Sequence, residues 1–173
     1  MSQWQTPDLH HLRAAEGWLE LGNPREAMAE LDQLSDEAQG RLEVLAVRWG
    51  ILAHFKRWQE GVAVAARMIE MAPDEVFGWI HRSYALHELK RTQEARDLLL
   101  NAVVRFPQNE IIPYNLACYE CQSGNHVIAM KWLQQAMRRG DPAEIKSRAL
   151  EDEDLQPLWS EIRAMKAGGR KRE

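Results

Sequence analysis

Four stretches of this chain, NPREAMAELDQL, RWQEGVAVAARM, RTQEARDLLLNA and NHVIAMKWLQQA, carry a small residue at the same place: Ala27, Gly61, Ala95 and Ala129. From 27 to 61 to 95 to 129 every step is 34 residues, with no insertion or deletion. Other columns hold the register: Leu31, Ala65, Leu99 and Leu133 lie four residues on, and Leu34, Met68, Ala102 and Ala136 three beyond those. A unit this short cannot bury its apolar face alone, so the period demands an array in which each copy covers the next. Pro73 and Pro107 keep the same step and stand where one apolar stretch ends and the next begins. There the fixed φ and missing N–H of proline separate two elements.

Within a unit the apolar residues recur at three and four. Leu42, Leu45, Trp49, Leu52 and Phe55 are one such row, the pattern of an amphipathic helix, and no stretch alternates as a strand does. Polar breaks interrupt the units near their middles at Gly22-Asn23-Pro24, Lys56-Arg57, Lys90-Arg91-Thr92 and Gly124-Asn125. Asn23 is placed to cap, Pro24 suits a first helical position, and Glu26 completes a box-like start. Each unit therefore reads as two antiparallel helices. The seven tryptophans are spread along the chain, as expected if successive helix pairs each bury a large aromatic in a local core.

A 34-residue helix-turn-helix unit resembles the tetratricopeptide repeat. The residues that carry the resemblance are Trp79 early in a first helix, the small residues Ala27, Gly61, Ala95 and Ala129, and the closing Pro73 and Pro107. It spans residues 8–142 as four repeats, 8–41, 42–75, 76–109 and 110–142. The end units depart from the pattern, with Gln39 where a proline belongs, Pro142 one place late, and Glu120 at a position usually apolar. The expected fold is an all-α, right-handed α-solenoid of four helix pairs. Asp141-Pro142-Ala143-Glu144 starts a further helix, and LQPLWSEIRAM puts Leu155, Leu158, Trp159 and Ile162 on one face. Residues 143–166 are thus expected to form a capping helix pair over the last repeat, and 167–173 a flexible tail.

Composition narrows the function. Lys and Arg number 22 against 26 Asp and Glu, a formal charge of −4, which gives no broad footprint for nucleic-acid phosphates. No run of 18 apolar residues and no secretory start is present, so a cytoplasmic protein that does not enter membranes is expected. There is no HExxH, GxSxG, GxxxxGK[ST] or GxGxxG, so neither an enzyme nor a cofactor is expected. Cys118-x-x-Cys121 puts two sulfurs on one helix face, with His126 nearby in sequence. That is the basis of a rival reading as a metal or redox protein, but structural zinc wants four ligands and reactive thiols favour a helix start. No metal is expected.

On the third first-helix, Phe77, Ile80, His81, Tyr84, His87 and Glu88 share one face, while Trp79, Ser83, Leu86 and Leu89 share the other. Both faces carry large groups, so one needs a second packing layer or a ligand. The resemblance implies a ligand, because first helices of that family line a concave groove. The matching positions are Ala46, Val47, Gly50 and His54; Phe77, His81, Tyr84 and His87; and Tyr114, Asn115, Cys118, Cys121 and Gln122. The clamp by which some members hold acidic chaperone tails is missing: Leu12, Glu16, Val47, Phe77 and His81 stand at its positions, with Asn115 alone matching. The expected role is an adaptor or scaffold binding a partner's peptide or helix in a mostly neutral aromatic groove. The alternative is a dedicated chaperone of a secreted or assembly partner.

Overall fold

The structure, a computed structural model, describes residues 4–165; the expected tail 167–173 lies outside them. It is all-α, and the 34-residue register is visible in the backbone. The second helices α2 (Pro24–Leu31), α5 (Trp58–Met71), α7 (Thr92–Arg105) and α9 (His126–Arg139) begin one repeat apart. Their partners are α1 (Thr6–Glu20), α4 (Leu42–His54), α6 (Val76–Glu88) and α8 (Ile111–Gln122). A one-turn α3 (Asp36–Gln39) follows α2, and α10 (Pro142–Ala149), a 3-10 turn (Glu153–Leu158) and α11 (Trp159–Ala164) follow α9. The chain divides into two compact units between Ala85 and Leu86, inside α6.

The turn between first and second helix has one geometry in all four repeats. Gly22, Lys56, Lys90 and Gly124 occupy it with φ of 74°, 54°, 62° and 79°. The N–H of the following residue bonds back five places, Asn23 to Trp18, Arg57 to Leu52, Arg91 to Leu86 and Asn125 to Glu120, at 2.8–2.9 Å. This left-handed helix end satisfies carbonyls that would otherwise be orphaned. Asn23 does precede Pro24, but its side chain makes no capping bond, so the box-like start expected from the sequence does not form. The backbone turn has already oriented that helix.

In the first unit, Ala27 and Leu31 of α2 meet Leu12 and Ala15 of α1, with Val44, Val47 and Ile51 of α4 completing the core. α2 is short where α5, α7 and α9 run on. The chain breaks at Ser35, whose N–H and hydroxyl both donate to the buried Asp8 carboxylate at 2.8 and 2.7 Å. Those bonds hold Asp8 below the usual carboxylate range. Gln39, at the place of the missing proline, donates to the Leu31 carbonyl at 2.6 Å. In the second unit the buried Ala95, Leu99, Ala129 and Leu133 occupy the same columns. Glu120, the residue at an expected apolar position, is fully buried and accepts from Arg96 at 2.6 Å and Asn125 at 2.7 Å. A buried carboxylate is tolerated there because both oxygens are met.

α10 starts as its sequence predicts: Asp141 accepts from the N–H groups of Ala143 and Glu144. The residues after it do more than cover α9. The 3-10 turn lies on α8, with Leu155, Leu158 and Ile162 fully or almost fully buried.

Candidate functional site

The groove positions split into two environments. In the first unit they form an aromatic cluster on α4 and α6. The His81 ring stacks on Trp49 with centroids 4.1 Å apart and planes 13° from parallel. Phe77 meets His81 edge-on at 3.7 Å, and Tyr84 stands edge-on to Trp49 at 6.3 Å and to Trp58 of α5 at 5.6 Å. Trp49 is buried, whereas Phe77 and Tyr84 are 36% and 40% exposed. Aromatic edges and faces attract in such arrangements, so the outer rings sit on a firm base. Among the described residues, neither Trp49 Nε1 nor His81 Nδ1, both buried, has a hydrogen-bond partner. The indole N–H faces α5 at Gly61, where an added Cβ would come within 3.4 Å. Burial pushes the His81 pKa down to about 4, so the imidazole is neutral near pH 7. His54 is exposed at the end of α4, and its ring stands edge-on to Phe55 at 5.8 Å. Ile80, placed by its spacing on the groove face, is buried.

In the second unit the corresponding face is not open. Tyr114, Cys118 and Cys121 are 3–4% exposed, and His87 is 6% exposed. What covers them is the chain's own turn at Asp152–Asp154. Tyr114 Oη donates to Asp152 Oδ2 at 2.8 Å, and Cys118 Sγ reaches the same oxygen at 3.6 Å. His87 Nε2 lies 3.0 Å from Asp154 Oδ2 while its Nδ1 lies 2.9 Å from Thr92 Oγ1. Gln122 Nε2 donates to the Asp154 carbonyl at 2.9 Å, and Asp152 caps the turn by accepting from the Asp154 N–H. Arg148 lies over the Tyr114 ring at 5.1 Å. Of the positions expected to face a partner, His87, Tyr114, Cys118 and Cys121 are buried in this structure, while Gln122 is exposed and holds the turn from outside. Polar atoms of His87, Tyr114, Cys118 and Gln122 bond to the chain's own turn, and the buried Leu155, Leu158 and Ile162 fasten that turn down. Asn115 beside them is half-buried.

The same contacts revise the thiol chemistry. Burial first, then the two aspartates, raise the Cys118 and Cys121 pKa values, the opposite of what a nucleophile or redox pair needs. Cys118 Sγ and one oxygen each of Asp152 and Asp154 lie within 4.8 Å of one another. The acidic partners are Asp152 and Asp154, not the exposed His126 considered from the sequence. Those oxygens already accept from Tyr114 and His87. Neither aspartate stands out in the sequence, because residues 151–154 have the composition of any exposed acidic run.

No protein-family model and no curated protein sequence matches the chain. Solved structures do match. A fragment of MamA from Desulfovibrio magneticus RS-1 superposes with a TM-score of 0.72 at 16% identity, covering 94% of each chain. A thermophilic tetratricopeptide-repeat protein of Thermus thermophilus gives 0.70 at 16% identity, covering 91% of this chain and 100% of that one. MamA AMB-1 gives 0.65 at 14%, over 94% and 100%. The fold is thus that of tetratricopeptide-repeat proteins, as the 34-residue period implies. Among the described residues no helix is long and apolar enough to cross a membrane.

Proposed function

We propose that this protein is a non-enzymatic interaction module that binds a segment of a partner protein on the aromatic face of its first unit. The observation that carries the reading is the contrast between the two halves of the expected groove. Tyr114 and its neighbours hold the chain's own turn, whereas Phe77 and Tyr84 stand out on a stacked base with more than a third of each side chain accessible. Rigid aromatic side chains of low entropy are what binding surfaces use as anchors. The raised thiol pKa values in the second unit argue against thiol chemistry there.

The test is selection of linear peptides from a random displayed library on the full chain, followed by affinity measurement with synthetic copies. Tyr84→Ala should weaken the selected peptides by about thirtyfold, a loss of about 2 kcal/mol, with the melting temperature close to that of the parent. Selected peptides that bind Tyr84→Ala and Phe77→Ala as well as the parent would remove the aromatic face from the reading.

A further inference from the structure

Beside Phe77, the first turn of α4, the last turns of α5 and the start of α6 enclose a slot of about 240 Å³. Its walls are Leu42, Ala46, Met68 and Phe77, and its only charged lining groups are Glu43 and Glu75. Gly78 lets α6 come close to α5 here: an added Cβ would lie 2.9 Å from Ile69 Cγ1 and 3.2 Å from the Ala65 carbonyl. That close approach carries Phe77 to one side of the slot. Both glutamates are exposed, and neither takes part in an ion pair among the described residues. Ala46 and Phe77 also belong to the aromatic face, so the slot continues that surface.

The surface inside the slot is almost wholly apolar, and the exposed Glu43 and Glu75 border it. A side chain with an apolar stem and a cationic head matches that arrangement: the methylenes lie against Ala46, Met68 and the Phe77 ring, and the head stays in water beside the two glutamates. Arginine suits the place best, because its planar fork can address a carboxylate with two donors. We propose that this slot receives an arginine or lysine side chain of the partner segment bound on the aromatic face, so that the module selects a basic residue next to an aromatic-binding one. The assignment rests on the peptide-binding reading of that face.

The experiment uses the peptides selected on the full chain. Arginine or lysine should recur at one position. Replacing that residue by citrulline or norleucine should weaken binding about tenfold, and the Glu43→Gln, Glu75→Gln double variant should lose the same factor for the basic peptide while binding the norleucine peptide as the parent does. Raising salt from about 0.05 to about 0.5 M should weaken only the basic peptide. Tyr84-dependent binding by peptides without a basic residue, or an unchanged affinity in the double variant, would overturn the slot assignment and leave the aromatic face standing. Binding that ignores Tyr84 and Phe77 would overturn both. Concentration-dependent self-association abolished by the double variant would assign the slot to a second copy of this chain and overturn a separate partner.

Discussion

Acidification should destabilise this protein through one ring. His81 lies flat on Trp49 at 4.1 Å with Phe77 against its edge, and its Nδ1 has no partner among the described residues. A proton added there would have to be buried among aromatic carbon, which is why the folded-state pKa falls from 6.5 to about 4. In the unfolded chain the ring protonates near 6.5. Between these values the unfolded state binds the extra proton, so stability is full above about pH 7, declines as pH falls towards 4, and is level below that as far as this group is concerned. The fall from 6.5 to about 4 corresponds to roughly 3 kcal/mol, and partial exposure of the ring brings the expected loss to about 2 kcal/mol. Urea unfolding followed by tryptophan fluorescence at pH 7.5, 6, 5 and 4.5 measures it. His81→Phe keeps an aromatic ring on Trp49 and removes the titration. The stability difference between parent and variant should therefore change by about 2 kcal/mol across the window while carboxylate titrations common to both cancel. Parallel curves for the two proteins would refute the reasoning.

Three further outcomes concern stability. Asp152→Asn should cost about 1 to 3 kcal/mol, because Tyr114 and Cys118 lose a charged acceptor, and hydrogen exchange should rise in α8 while residues of the first unit stay protected. Arg96→Ala should cost about 3 kcal/mol in denaturant melts by stranding the buried Glu120, and adding Glu120→Gln should recover part of the loss. Lys56→Gly and Lys90→Gly should each stabilise by about 0.5 to 1 kcal/mol, since both lysines hold a left-handed φ, whereas Gly124→Ala should lose about 1 kcal/mol in thermal unfolding.

The repeat architecture was legible because it rests on a column of small residues. Ala27, Gly61, Ala95 and Ala129 sit where two helices approach, and that constraint leaves a mark in the chain at a fixed step. The shared left-handed turn was partly visible at Gly22 and Gly124 but hidden at Lys56 and Lys90, since lysine carries no preference for that conformation. The aromatic cluster was readable as a face of α6, though not its geometry: helical spacing places Phe77, His81 and Tyr84 together but cannot say that Trp49 stacks beneath them. The covering of Tyr114 and Cys118 was not readable. It depends on a contact between residues 38 apart, made by a carboxylate whose local surroundings are those of any exposed acidic run. The early end of α2 had the same cause, a bond from Ser35 to Asp8 across 27 residues.

The turn that covers α8 also sets an order of events during synthesis. Tyr114 precedes its acceptor Asp152 by 38 residues, and His87 precedes Asp154 by 67. At a translation rate of about 5 to 20 residues per second, Tyr114 waits about 2 to 8 seconds for its acceptor, and His87 about 3 to 13 seconds for its own. Through that interval the nascent second unit shows a tyrosine, two thiols and a row of apolar positions to whatever is near the ribosome. The hazard of premature association at this face lasts a few seconds, and it ends when Leu155 and Leu158 arrive to seal it.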